Sequence, residues 1–292
     1  MQKQNHLHNI LLLNFAMLCI STSGVLGRYI NLPPPVTIWW RALFALFFLG
    51  IFCKWKKLSF QFQFKKHGFV FFASGLLMTT HWVTYFYALQ WSNVAIGMLS
   101  LFTYPVITAL LEPLILKTKF QKHHLILGFI VLIGVYFLAP DLSFENKMTQ
   151  GLIMGLFSAL AYSTRNIILK TQVKKFNGSI LMFYQMAVML IILFPIHFLY
   201  KEKIPADQLP FILFLGLVTT SIGHTLFLNS FRYFSVSTVS IMSGIQPIFG
   251  IIIAMLFLSE IPAWRNWIGG ALITITVIFE SFFNQKSKSR GS

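Results

Sequence analysis

Val94–Leu116 reads VAIGMLSLFTYPVITALLEPLIL, and Val236–Leu258 reads VSTVSIMSGIQPIFGIIIAMLFL. Each run is long enough to cross a bilayer as a helix, which takes about 20 mostly apolar residues. Each carries a proline near its middle, Pro105 and Pro247. Proline removes a backbone donor and clashes with the preceding turn, so both positions are predicted helix breaks. A membrane tolerates such breaks where neighbouring helices or a cavity satisfy the freed backbone groups. Two of them at matching places in two halves point to a binding site near the midplane.

Working outward, the composition fits the same picture. Of 292 residues, 56% are hydrophobic and only 10% are charged, and the mean hydropathy is +0.72. Soluble domains carry about 25% charged residues. The expected fold class is an all-α polytopic membrane protein. Ten spans can be drawn, at roughly 9–29, 35–53, 67–89, 93–116, 123–139, 150–170, 179–199, 209–231, 235–258 and 265–283. Short links leave no room for a soluble domain, and Pro33-Pro34-Pro35 reads as a stiff link between the first two spans. Ile10–Leu26 imitates a signal peptide, but no A-x-A-like site follows it. Residues 284–292 read as a cytoplasmic tail, and Gly291-Ser292 as a cloning scar.

The formal charge of +16 could suggest nucleic acid, yet the basic residues lie in short gaps between apolar runs, so no nucleic-acid partner is expected. Sixteen of the 23 Lys and Arg fall on one side: Lys3, Lys54, Lys56, Lys57, Lys65, Lys66, Lys117, Lys119, Lys122, Lys170, Lys174, Lys175, Arg232, Lys286, Lys288 and Arg290. Five fall on the other: Arg28, Lys147, Lys201, Lys203 and Arg265. Arg41 and Arg165 lie inside spans. The positive-inside rule then places both termini in the cytoplasm of a multi-pass protein of the cell membrane. Cys19 and Cys53 offer neither a disulfide framework nor metal spacing.

Shifted by 142 residues, the first half lies on the second without a gap from about 75 to 137. Pro105 falls on Pro247, Gly128 on Gly270, Val94 on Val236 and Tyr85 on Phe227. Five spans in each half is an odd number, so the second copy must enter the membrane inverted. The domains expected are two five-helix repeats, 9–139 and 150–283, in a plan that recurs among secondary transporters.

The stretch Ala88–Pro105 (ALQWSNVAIGMLSLFTYP), followed by Leu111-Glu112-Pro113 and Gly128, resembles the ten-helix EamA-type carriers of the drug/metabolite transporter superfamily. So does Ser230–Pro247 (SFRYFSVSTVSIMSGIQP), followed by Ser259-Glu260 and Ile268-Gly269-Gly270. The glutamate that such carriers often show after the broken helix is Glu260 here; its counterpart in the first half is Thr118. The resemblance implies a central cavity lined by the first, third and fourth spans of each half. It also implies alternating access, with export or exchange of small metabolites such as amino acids.

Charged and strongly polar groups inside a bilayer are costly, so each is a candidate site residue. His81 and His224 lie deep in the third span of each half and are candidates to couple a proton to transport. Trp82, Tyr85, Tyr104 and Tyr162 offer stacking surfaces for the substrate. Arg165 could meet a carboxylate or phosphate, against snorkelling to the interface or a structural pair. Arg41 is expected to snorkel. Gln246 and Tyr104, each preceding a proline, are polar candidates, and Asn229 joins the set. Glu112 reads as a helix-end residue pairing with a lysine such as Lys117. The Gly151-Gly155-Ala159 stripe reads as helix packing.

The reading is a secondary transporter of small metabolites, most simply amino acids or related zwitterionic or aromatic compounds. The alternatives are a lipid or lipid-linked sugar flippase and an intramembrane enzyme. No H-E-x-x-H cluster or nucleotide-binding loop is present in the sequence, so no catalytic residue, metal or cofactor is expected. The expected partners are a small-molecule substrate, the lipid bilayer and a proton as candidate coupling ion, with monomer or homodimer left open.

Overall fold

The computed structural model describes residues 2–60, 64–117, 120, 123–139, 143–173, 175–200, 204–234, 239 and 242–289. Among them every regular element is a helix. The order is α1 (Gln2–Tyr29), α2 (Pro34–Trp55), α3 (Phe64–Trp91), α4 (Val94–Leu101), α5 (Tyr104–Leu116), α6 (His123–Leu138), α7 (Lys147–Lys170), α8 (Gly178–Leu193) and α9 (Ile196–Leu199). Then come α10 (Leu209–Phe214), a π-helical stretch (Leu215–His224), α11 (Thr225–Ser230), α12 (Gln246–Phe257) and α13 (Trp264–Ser289).

Six helical stretches among the described residues are long and apolar enough to cross a membrane: His8–Tyr29, Pro34–Trp55, His67–Trp91, Val94–Leu116, Lys147–Lys170 and Leu209–Ser230. Leu125–Leu138, Gly178–Leu193 and Gln246–Phe257 are shorter apolar helices. Large side chains such as Phe69, Phe129, Leu132, Ile191 and Phe257 stand outward from the bundle. In water this would be a liability; facing lipid tails it is the expected surface.

Proline placement explains several boundaries. The first quoted run breaks where expected. Helix α4 ends at Leu101, Phe102 and Thr103 turn, and α5 restarts at Tyr104 with Pro105 in its first turn. A proline there forfeits an N–H that would have been unsatisfied anyway. The second run repeats this 142 residues on. Gly244 and Ile245 turn, and α12 restarts at Gln246 with Pro247 in its first turn. The runs also end alike, with Lys117 (φ 53°) and Ser259 (φ 55°) in the left-handed region.

Elsewhere the expectation needed correcting. The triple proline is not a free-standing link: Pro33 caps α2, and Pro34 and Pro35 form its first turn. The predicted span 179–199 is interrupted at Phe194 and Pro195, for the same steric reason. The predicted span 209–231 contains a ten-residue π-helical stretch. There the Thr220 and Ser221 hydroxyls donate to the carbonyls of Leu215 and Gly216, five residues back.

Small residues allow the close helix crossings. A Cβ on Gly155 of α7 would stand 1.8 Å from Ser100 Oγ of α4, and one on Gly151 would stand 3.0 Å from Ser92 Cβ. The glycine stripe of α7 is therefore a packing face, as expected. Gly250 of α12 gives the same clearance to Met98 Sδ, at 2.0 Å, which lets the two broken runs approach each other.

Candidate functional site

Where the breaks meet, the bundle holds a small cavity of about 20 Å³. Its wall is built from α1 (Ile20, Ser23), α3 (His81, Trp82, Tyr85), α4 and its turn (Met98, Leu101, Phe102), α5 (Tyr104), α7 (Tyr162), the π-helical stretch (His224) and α12 (Gln246). These elements are the first, third and fourth apolar runs of each half. Seven of the nine residues singled out in the sequence thus converge: His81, Trp82, Tyr85, Tyr104, Tyr162, His224 and Gln246.

The wall is mostly aromatic, and Tyr162 is its hub. Its ring centroid lies 4.4 Å from that of His81 in a stacked arrangement, 4.9 Å from Tyr104 edge-on, and 6.3 Å from Phe227. His81 also stacks with Tyr85 at 6.1 Å. The His224 ring packs against Trp82 at 5.4 Å. His81 Nδ1 lies 2.7 Å from Ser158 Oγ. The Ser158 hydroxyl donates to the His81 carbonyl at 3.0 Å. A hydroxyl has one hydrogen, so the arrangement satisfying all three groups puts the imidazole proton on Nδ1. Gln246 directs Nε2 to Met17 Sδ at 2.8 Å.

Two candidates lie outside this wall. Asn229 is half-buried, and its Oδ1 accepts from the Gly178 amide at 3.1 Å. It thereby satisfies a backbone donor at the start of α8. Arg165 does not snorkel: it is completely buried. Its Nε donates to Gln185 Oε1 at 2.9 Å, Nη1 to Asn166 Oδ1 at 3.0 Å and Nη2 to Met182 Sδ at 3.6 Å. The guanidinium stands 5.8 Å from the Tyr162 ring, behind the wall.

Arg41 is the larger correction. It was expected to snorkel, but it is also completely buried. Its guanidinium lies 3.7 Å from the Trp82 ring centroid, with Nε on Thr220 Oγ1 at 2.8 Å and Nη1 on Ser23 Oγ at 3.1 Å. Sequence reasoning missed Arg41, Ser23 and Thr220 because their meeting joins residues 18 and 179 positions apart. A signal existed in Arg41 itself, since it lies seven residues inside α2, about 10 Å at the helical rise.

Two ion pairs mark opposite ends of the α4–α5 run. At its start, Arg28 Nε meets Glu260 Oε1 at 2.8 Å, and Glu260 Oε2 accepts from the Val94 amide at 2.9 Å. Near its finish, Glu112 pairs with Lys170 of α7 rather than with Lys117. Arg28 and Lys170 are themselves 142 residues apart, each at the last turn of the first run of its half. A second cavity, of about 340 Å³, opens beside the Arg28–Glu260 pair. Thr118, the counterpart of Glu260, lies outside the described residues.

Comparison with known proteins agrees with this architecture. The EamA-like transporter family matches the chain twice, over residues 8–139 and 149–282. The "uncharacterized transporter YxxF" of Bacillus subtilis (strain 168) is 24% identical over 269 residues, covering 88% of this chain and 84% of that protein. An "uncharacterized transporter" of Archaeoglobus fulgidus is 27% identical over 195 residues, covering 67% of this chain and 70% of the relative. A solved crystal structure superposes with a TM-score of 0.69 at 14% identity, over 96% of this chain and 98% of its own, and so shows the shared fold. With its family matched over both halves and its helices long and apolar enough to span a membrane, the chain is a polytopic membrane protein that belongs to the EamA-like transporter family, within the drug/metabolite transporter superfamily.

Proposed function

We propose that this protein is a secondary transporter that exports or exchanges small metabolites by alternating access to the central cavity. The preferred substrates are amino acids or related zwitterionic or aromatic compounds. The observation that carries the reading is the convergence of seven polar and aromatic residues from both halves on one cavity beside both proline breaks. His81, Trp82, Tyr85, Tyr104, Tyr162, His224 and Gln246 would touch the substrate. Arg165 and Asn229, which stand behind or away from the wall, are assigned packing roles.

The same reading takes the chain as ten spans in two inverted five-helix repeats, 9–139 and 150–283, with both termini cytoplasmic. The repeat is supported by the matching breaks, the matching left-handed residues and the Arg28–Lys170 correspondence. The orientation is supported by the Lys and Arg bias. On this topology the Arg28–Glu260 pair closes the outer end and the Glu112–Lys170 pair the inner end, as the two gates of an alternating-access cycle. A proton is the proposed coupling ion, with His81 and His224 as the groups that would carry it.

The test is solute counterflow in liposomes loaded with a metabolite mixture, read by mass spectrometry with and without a pH gradient. Selective exchange of a few amino acids or aromatic solutes, weakened by Tyr104→Ala and Gln246→Ala, is the expected result. Absence of exchange of any solute by folded protein would overturn it and direct the next assay to lipid scrambling.

A further inference from the structure

The third helix is not built alike in the two halves. In α3 the Thr79 hydroxyl donates to the Gly75 carbonyl, four residues back, at 2.8 Å, the ordinary back-bond of an α-helix. In the second half Ser221 stands where the 142-residue shift puts Thr79, and its hydroxyl donates to the Gly216 carbonyl, five residues back, also at 2.8 Å. Gly75 and Gly216 do the same work, since each lets the third helix cross the second helix of the other half. A Cβ on Gly75 would stand 2.6 Å from Val188 Cβ of α8, and one on Gly216 would stand 2.8 Å from Phe44 Cβ of α2. Yet these glycines are 141 residues apart, whereas Thr79 and Ser221, Trp82 and His224, and Pro105 and Pro247 are each 142 apart. One surplus residue therefore lies between Gly216 and Ser221, and the wider turn of the π-helix accommodates it.

Such turns are rare and are frequent at functional sites. All three hydroxyls of this one are met by the first two helices. Thr219 Oγ1 lies 3.1 Å from Thr22 Oγ1 of α1, Arg41 Nε of α2 donates to Thr220 Oγ1 at 2.8 Å, and Ser221 Oγ lies 3.4 Å from the Ala45 carbonyl oxygen of α2. The Thr220 hydroxyl gives its own hydrogen to the Leu215 carbonyl, so it is fixed as an acceptor for the arginine. Arg41 Nη2 is buried with no hydrogen-bond partner. Native proteins leave few buried polar atoms unsatisfied, and each asks for an explanation; a latch with a second arrangement supplies one. His224 closes the π-helical stretch and stands in the cavity wall. With 3.6 residues per turn, a surplus residue that moves past a side chain turns it by about 100° around the helix axis. We infer that Leu215–His224 is a register switch: the surplus residue, latched by Arg41 at Thr220, shifts along the helix and turns His224 into and out of the cavity wall during the transport cycle. Arg41 and Thr220 are then positioning residues that act on the solute through His224. The cycle rests on the carrier reading; the surplus residue does not.

The test begins with two deletions in the full-length protein, Val218 from the π-helical stretch and Leu77 from the matching place in α3. In an ordinary helix a deletion turns everything beyond it away from its contacts. Deleting Leu77 should therefore lower the thermal midpoint in nanodiscs by more than about 10 °C or prevent folding, whereas deleting Val218 removes only the surplus and should shift it by less than about 4 °C. Equal damage from the two overturns the inference. Counterflow of an amino-acid mixture in liposomes then reads the use of the surplus: the folded Val218 deletion should exchange nothing, and exchange at the unaltered rate overturns the switch. Point variants keep the latch testable without any deletion. Thr220→Val should change the exchange rate about tenfold, the worth of one hydrogen bond to a charged group, and Thr220→Ser, which keeps the hydroxyl, should restore it. Equal rates for valine and serine overturn the latch. No exchange by the unaltered protein would remove the carrier reading and the cycle with it, while the deletion pair would still decide whether the surplus residue exists.

Discussion

Arg28 Nε donates to Glu260 Oε1 at 2.8 Å, tying the last turn of α1 to the link between α12 and α13. The carboxylate has a second duty, because its Oε2 accepts the Val94 amide and so caps α4. Both side chains are partly exposed, at 34% and 22%, so the ion pair alone is worth little. The cap is worth more, about 1 kcal/mol. Arg28 has a second bond as well, its Nη1 donating to the Gln90 carbonyl at 2.8 Å, so the cap is isolated by comparing Glu260→Ala with Glu260→Gln: the alanine should lower the thermal midpoint further, by the equivalent of about 1 kcal/mol. Equal effects from the two would show that the cap does not form.

The counterpart at the other end, Glu112 with Lys170, has no such second duty among the hydrogen bonds described. Glu112→Lys places two ammonium groups together and should destabilise the protein by less than about 1 kcal/mol, since like-charge effects at partly exposed sites are small. The double exchange Glu112→Lys with Lys170→Glu should restore the midpoint. A double variant no better than the sum of its singles would show that the two side chains do not interact.

Gly155→Ala tests the α7–α4 crossing. The new methyl would fall 1.8 Å from Ser100 Oγ and 2.7 Å from Ser100 Cβ. Overpacking of this kind destabilises by about 1–3 kcal/mol. Adding Ser100→Gly removes both colliding atoms and should recover part of the loss, measured as midpoint or as yield of monodisperse protein. A tolerated Gly155→Ala would mean that the helices stand further apart than described.

Ser259 carries φ 55° at the close of the second broken run. A left-handed residue with a Cβ is disfavoured by roughly 1–2 kcal/mol. Glycine relieves this and gives back part of it through a freer unfolded chain. Ser259→Gly should thus be neutral to stabilising, by up to about 1 kcal/mol, and Ser259→Val should be destabilising. The opposite order in thermal denaturation would contradict the left-handed turn.

The sequence alone settled that this is an all-helical membrane protein with a broken run in each half. Hydropathy and proline sterics act locally, so Pro105 and Pro247 announce their breaks without knowledge of any neighbour. The aromatic and imidazole groups of the cavity could also be picked out, because polar or ring-bearing residues deep in apolar runs are rare and costly. The π-helical stretch was not legible, since Leu215–His224 reads by hydropathy as part of an ordinary span. Nor was the partner of Glu112, where sequence proximity suggested Lys117 and the fold supplied Lys170. The two arginines show the division most plainly. Each looked free to reach the membrane surface along its own helix, and a single helix contains nothing to forbid that. The tertiary structure buried both, because Thr220 and Ser23 on other helices reached Arg41 and Gln185 on α8 reached Arg165. Whether a buried charge finds all its partners is decided by residues far away in the chain. Only the assembled bundle could show that Arg165 does and that Arg41 keeps one nitrogen unpaired.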